Sequence, residues 1–133
     1  MGRDDLLDKS DGWILRATFE LAWLQIPGRR ELCIGDFYGD PACGVIDANK
    51  KWCVVGGCGL IVYRIQPPFR EYDYDVICDQ WSEFGRDLGD AWWVSHLEQV
   101  DAKHVRFTVD EVDKHSGIYE LNVDSMAVRR LSE

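Results

Sequence analysis

No tract rich in Ser, Gly, Gln or Pro interrupts the 133 residues, so nothing marks a linker, and the composition predicts one compact domain over residues 1–133. A chain of that length buries roughly two thirds of the surface it exposes when unfolded, enough to fold without a metal or disulfide staple. Long apolar runs are also missing. The best window, residues 13–26, is broken by Arg16, Thr18 and Glu20, short of the ~20 apolar residues of a spanning helix. The opening MGRDDLLDKSD lacks the apolar core of a secretory signal, and Leu6 stands where a myristoylation signal carries Ser or Thr. Five cysteines without paired spacing, and no Asn-x-Ser/Thr acceptor, predict a reducing, cytoplasmic setting.

Motifs of known chemistry are absent too. Structural zinc sites show close ligand pairs on knuckle turns, whereas Cys33, Cys43, Cys53, Cys58 and Cys78 are scattered and the histidines are His96, His104 and His115. Asp73, Asp75 and Asp79 start like a calcium loop, but Cys78 sits where that loop needs Gly and Phe84 where it needs Glu. There is no G-x-S-x-G, and Gly56-Gly57-Cys58-Gly59 lacks the Gly-Lys-Ser/Thr ending of a phosphate loop. That cluster predicts a bulge or a close backbone approach, with Cys58 the one partly exposed thiol. No catalytic residue, metal ligand or cofactor is assigned.

What is there is β-forming sequence. CGVIDANKKWCVVGGCGLIVYRI, residues 43–65, reads as three short strands at Val45–Ile46, Trp52–Val55 and Leu60–Ile65, with a turn at Asp47–Lys51 and Pro67-Pro68 closing the meander. Trp52, Val54, Leu60 and Val62 are its core. In residues 13–24, Leu15, Ala17, Phe19, Leu21 and Trp23 alternate with Arg16, Thr18, Glu20 and Ala22 as in a half-buried strand, although Ile14, Ala17, Leu21 and Leu24 also fit a helix. Pro27-Gly28 then turns the chain into a partner at Glu31–Phe37, and residues 35–41 form a loop.

Further on, Glu71–Ile77 predicts a strand with Glu71, Asp73 and Asp75 on one face, and Trp81, Phe84 and Leu88 predict a short helix over Asp79–Leu88. Asp4–Ser10 reads as a frayed turn or short helix. Residues 91–100 fit either a strand or a helix capped by Asp90, with the strand preferred. Val105–Val112, Gly117–Val123 and Met126–Leu131 read as a final meander with turns at Lys114–Gly117 and Asp124–Ser125. The expected fold is mainly β, or α+β: a single compact domain with a curved antiparallel sheet or small barrel and one or two short helices.

Charge is uneven. The net of −9 divides into −3 over residues 1–40, +3 over 41–70 and −9 over 71–133. Such acidity repels phosphate, which argues against nucleic acid and anionic membranes and favours a basic partner. The acidic half is also aromatic. Trp92 and Trp93, adjacent on a strand, must point to opposite faces, and an exposed Trp or Tyr among acids suits an interface anchor. Tyr72, Asp73, Tyr74, Asp75, Asp79, Trp92 and Trp93 are therefore the expected partner-binding residues.

A compact, acidic chain rich in Trp and Tyr, with neither catalytic motif nor repeat, resembles the immunity proteins that bacteria make against the toxins of neighbouring cells. The resemblance implies direct binding to a basic toxin or nuclease domain, with the acids of residues 71–113 complementing it. Two alternatives stand beside it: a small-ligand-binding or hydrolytic β-barrel in which His96 or His104 acts in a deep pocket, and a subunit of a larger assembly joined through an exposed strand edge.

Overall fold

The computed structural model describes residues 4–110 and 115–132. Among them the fold is all β apart from one 3-10 turn at Leu88–Asp90. The first sheet contains β1 (Asp4–Ser10), β2 (Trp13–Thr18), β3 (Leu21–Gln25) and β4 (Leu32–Asp36). The second contains β5 (Cys43–Ile46), β6 (Trp52–Gly57), β7 (Gly59–Arg64) and β8 (Trp81–Phe84), and the third β9 (Val94–Gln99), β10 (His104–Val109), β11 (Gly117–Asn122) and β12 (Val128–Ser132). Each is an antiparallel four-stranded meander in chain order. That is the order of a propeller blade, and the first strand of the middle sheet, β5, packs against both other first strands, β1 and β9.

The middle sheet explains the continuous apolar runs. Cys53, Val55, Ile61 and Tyr63 point into a core shared with the first sheet, and Trp52, Val54, Leu60 and Val62 into a core shared with the third. With both faces covered, alternation with polar residues has no place, and every residue of β6 is buried. The outer face of the third sheet is polar instead. Glu98, Arg106, Glu120 and Arg129 face one another in register across its four strands, a row of alternating charge that suits water.

Several expectations are corrected. Among the described residues there are three separate sheets in place of a curved sheet or small barrel, and each keeps two edge strands. Asp4–Ser10 is a strand, paired to β2 through the Asp11-Gly12 turn, where both residues have positive φ. Residues 13–24 form two strands and not one. Phe19 turns the chain at φ 54°, so the buried set passes from Leu15 and Ala17 to Ala22 and Leu24, leaving Leu21 and Trp23 half-buried on the other face. Asp79–Leu88 holds strand β8 where a helix was expected, because pairing with β7 overrides the helical spacing of Trp81, Phe84 and Leu88. Glu71–Ile77 is an irregular loop and no strand. The strands at 43–64, β9 in residues 91–100 and the final meander agree with the sequence, while Glu111–Lys114, with the end of the predicted strand to Val112 and the start of the predicted turn, lies outside the described residues.

Candidate functional site

The connection from β7 to β8, residues 65–80, is long and held firmly at its base. The Gln80 side chain is buried; its Nε2 donates to the carbonyls of Arg64 (2.7 Å) and Gln66 (3.0 Å), and its Oε1 accepts from the Arg70 amide (3.0 Å). Tyr63 Oη donates to the Arg70 carbonyl at 2.8 Å. The loop then lies along the free edge of β4: Glu71 Oε2 accepts the Cys33 amide at 2.7 Å, and the Tyr72 amide donates to the Cys33 carbonyl at 2.9 Å. A Glu71 carboxylate and one loop amide thus satisfy backbone groups that an edge strand would leave open.

Beyond this base the chain projects. Asp73 Oδ1 accepts the Asp75 amide at 3.0 Å, an Asx turn that sets the tip. Tyr74 is 73% exposed there and Ile77 101%, among the exposed carboxylates of Asp73, Asp75 and Asp79. Ile77 was not among the expected anchors. Its only sequence signal was an apolar residue in an acidic segment, which the strand reading of 71–77 assigned to a sheet.

Between this loop and the first sheet runs a groove of about 540 Å³. Tyr72 and Tyr74 come from the loop, Asp36, Phe37 and Tyr38 from the end of β4 onward, Glu20 from the β2–β3 turn, and Glu83 and Arg86 from β8 and the segment after it. Tyr38 is 61% exposed. Tyr72 Oη donates to Glu83 Oε1 at 2.7 Å; burial, and then that carboxylate, push its phenol well above the ordinary range. Among the described residues, Arg86 is the one cation that lines the groove. It pairs with Glu83 at 3.1 Å, donates through Nη1 to the Cys58 carbonyl at 3.1 Å and through Nη2 to that of Asp36, and lies 4.6 Å from the centre of the Phe37 ring.

No known protein family, no curated protein and no solved structure matches the chain.

Of the seven expected residues, Tyr72 and Tyr74 line the groove, and Asp73, Asp75 and Asp79 sit on the same loop. The tryptophans divide as adjacency required. Trp92 stacks on Phe107 (5.8 Å) and Tyr119 (6.0 Å) and belongs to the packing of the third sheet, whereas Trp93 is 42% exposed. Trp93 forms an isolated bridge with Cys58, whose carbonyl holds Arg86, so it stands next to the groove's Arg86 end.

The cysteines are all free. Cys58 is corrected from partly exposed to buried: Gly59, at φ 86°, folds it into the β6–β7 turn so tightly that a Cβ on Gly59 would lie 2.6 Å from the Phe84 carbonyl oxygen. Burial raises its thiol, with Arg86 acting the other way. Burial pushes Cys43 up to about 12 and raises Cys53 as well. No group of three or more His, Cys, Asp or Glu among the described residues could hold a metal ion. No helix among them is long and apolar enough to cross a membrane.

The histidines lie elsewhere. His96 is exposed on β9. His104 Nδ1 is 2.8 Å from Asp101 Oδ1, and the Lys103 amide together with this ring holds the Asp101 carboxyl below the usual range. The recess beside His104 measures about 220 Å³, smaller than the roughly 300 Å³ at which ligand pockets begin.

Proposed function

We propose that this protein is an inhibitor that works by binding, an immunity protein that neutralises a basic toxin or nuclease domain in the cytoplasm of the cell that makes it. The observation that carries this reading is the pairing of exposed apolar anchors with carboxylates on one braced loop: Tyr74 and Ile77 stand among Asp73, Asp75 and Asp79, beside the Tyr38–Tyr72 groove. Interfaces that bind tightly use a few such anchors within a polar rim. Bracing by Gln80, Tyr63 and Glu71 supports the same role, because a loop ordered in advance loses less conformational entropy on binding. The acids steer encounter with a basic surface, and Trp93 extends the contact.

Co-expression tests the proposal. A gene for a basic toxin or nuclease should adjoin this one, and cells producing that toxin domain should survive when the chain is present and survive less well when Asp73, Asp75 and Asp79 are changed together to Asn. Death despite the parent chain would overturn it.

A further inference from the structure

The groove is specific in shape as well as charge. Its walls are rings, Phe37, Tyr38, Tyr72 and Tyr74, and among the described residues its carboxylates, Glu20, Asp36 and Glu83, outnumber its single cation. Arg86 is engaged by Glu83, by two carbonyls and by the Phe37 face, so the charge left over is negative. Arg86 also demonstrates what these walls hold: a guanidinium over an aromatic ring, 4.6 Å from its centre, and paired with a carboxylate. Its volume of about 540 Å³ falls within the range of sites that enclose a ligand group.

We infer that this groove takes an arginine side chain of the basic partner, stacked against Tyr38 and Tyr74 and paired with the carboxylates of Glu20 and Asp36. The inference presupposes the binding role proposed above and adds the group that is recognised. Arginine fits better than lysine on three grounds. Its guanidinium is planar and stacks on phenol rings, its fork of donors matches a carboxylate edge, and it sheds water more readily than an ammonium. Glu20 is already oriented, since its Oε2 accepts the Gly39 amide at 2.8 Å, and that bond fixes it at the groove mouth beside Tyr38.

The test is a nuclear magnetic resonance titration of the full chain with acetyl-arginine amide, against acetyl-lysine amide and acetyl-citrulline amide; citrulline keeps the shape of arginine and loses its charge. The arginine probe should shift the amide signals of Tyr38, Tyr72, Tyr74 and Glu20 and bind about tenfold more tightly than citrulline, the factor expected of a cation held on aromatic faces. Tyr38→Ala and Tyr74→Ala, both at mostly exposed positions that leave the fold intact, should each weaken it several-fold. Equal shifts with citrulline, or shifts spread over the acids of the third sheet, would overturn the inference. A toxin domain that binds the chain with no arginine preference in the groove would leave the inhibitor role standing and remove this site. Arginine selectivity in a chain that protects against no toxin would do the reverse.

Discussion

Tyr72 and Tyr63 show how burial at single residues sets the behaviour of the whole protein with pH. Burial raises both phenols and the thiols of Cys43 and Cys53, so each group holds its proton more tightly folded than unfolded. The sign follows from linkage: the contribution is complete below the unfolded values and is lost as pH rises through the folded ones. Stability should therefore hold at neutral pH and fall as pH passes about 8.5, where an unfolded thiol ionises, toward about 12, to which burial pushes Cys43. Urea midpoints at pH 7, 9 and 10.5 measure this, and a flat series would contradict it. Ultraviolet titration should find that two of the five tyrosines ionise only as the protein unfolds. A thiol reagent should react slowly with native Cys58, which is 2% exposed; rapid labelling would mean that the β6–β7 turn opens.

Gly85 matters in the same local way, at a corner of the site. It has φ 61°, and a Cβ there would lie 2.3 Å from the Trp92 ring. Gly85→Ala should displace Trp92 from its stack on Phe107 and Tyr119 and lower the melting temperature, whereas Ile77→Ala, at the fully exposed loop tip, should leave it unchanged. Calorimetry of the two variants compares them directly.

Among the elements, the middle sheet bears the fold because both its faces are buried. Trp52→Ala should cost about 3 to 5 kcal/mol and Leu60→Ala about 2 to 5 kcal/mol, each a large part of an ordinary domain's stability. A Trp52→Ala protein that melted within a degree or two of its parent would remove that sheet from the core. Strands β6 and β7 were plain in the sequence for the same reason, since a doubly covered strand leaves a continuous apolar run bounded by turn residues. β8 was hidden. Its four residues carry Trp81 and Phe84 at helical spacing, and only the neighbouring edge of β7, distant in sequence, makes them a strand. Asp11-Gly12 is a strong hairpin signal that would have revealed β1, had its charged residues not suggested a frayed end. The site was legible as composition, in the acids and tyrosines of 71–79, but not as geometry. Phe37, Tyr38 and Glu20 join it from the first sheet through contacts that no local pattern records.

At the scale of the whole molecule, three meanders share two cores, and the loop 65–80 is braced on two of the sheets while its tip projects. This arrangement presents acids and anchors together, yet they act on different rates. Charge accelerates encounter and is screened beyond about 8 to 10 Å near physiological ionic strength, so association should slow steeply as salt rises. Loss of a desolvated anchor, as in Ile77→Ala or Tyr74→Ala, should instead speed dissociation.

The most direct measurement is the association rate of the Asp73→Asn, Asp75→Asn, Asp79→Asn variant with the basic domain that the parent chain neutralises, taken at low salt beside the parent. An acidic docking loop predicts a rate at least several-fold slower, with the gap closing in high salt and the melting temperature unchanged. An equal rate at low salt would contradict the loop as the surface that meets the partner.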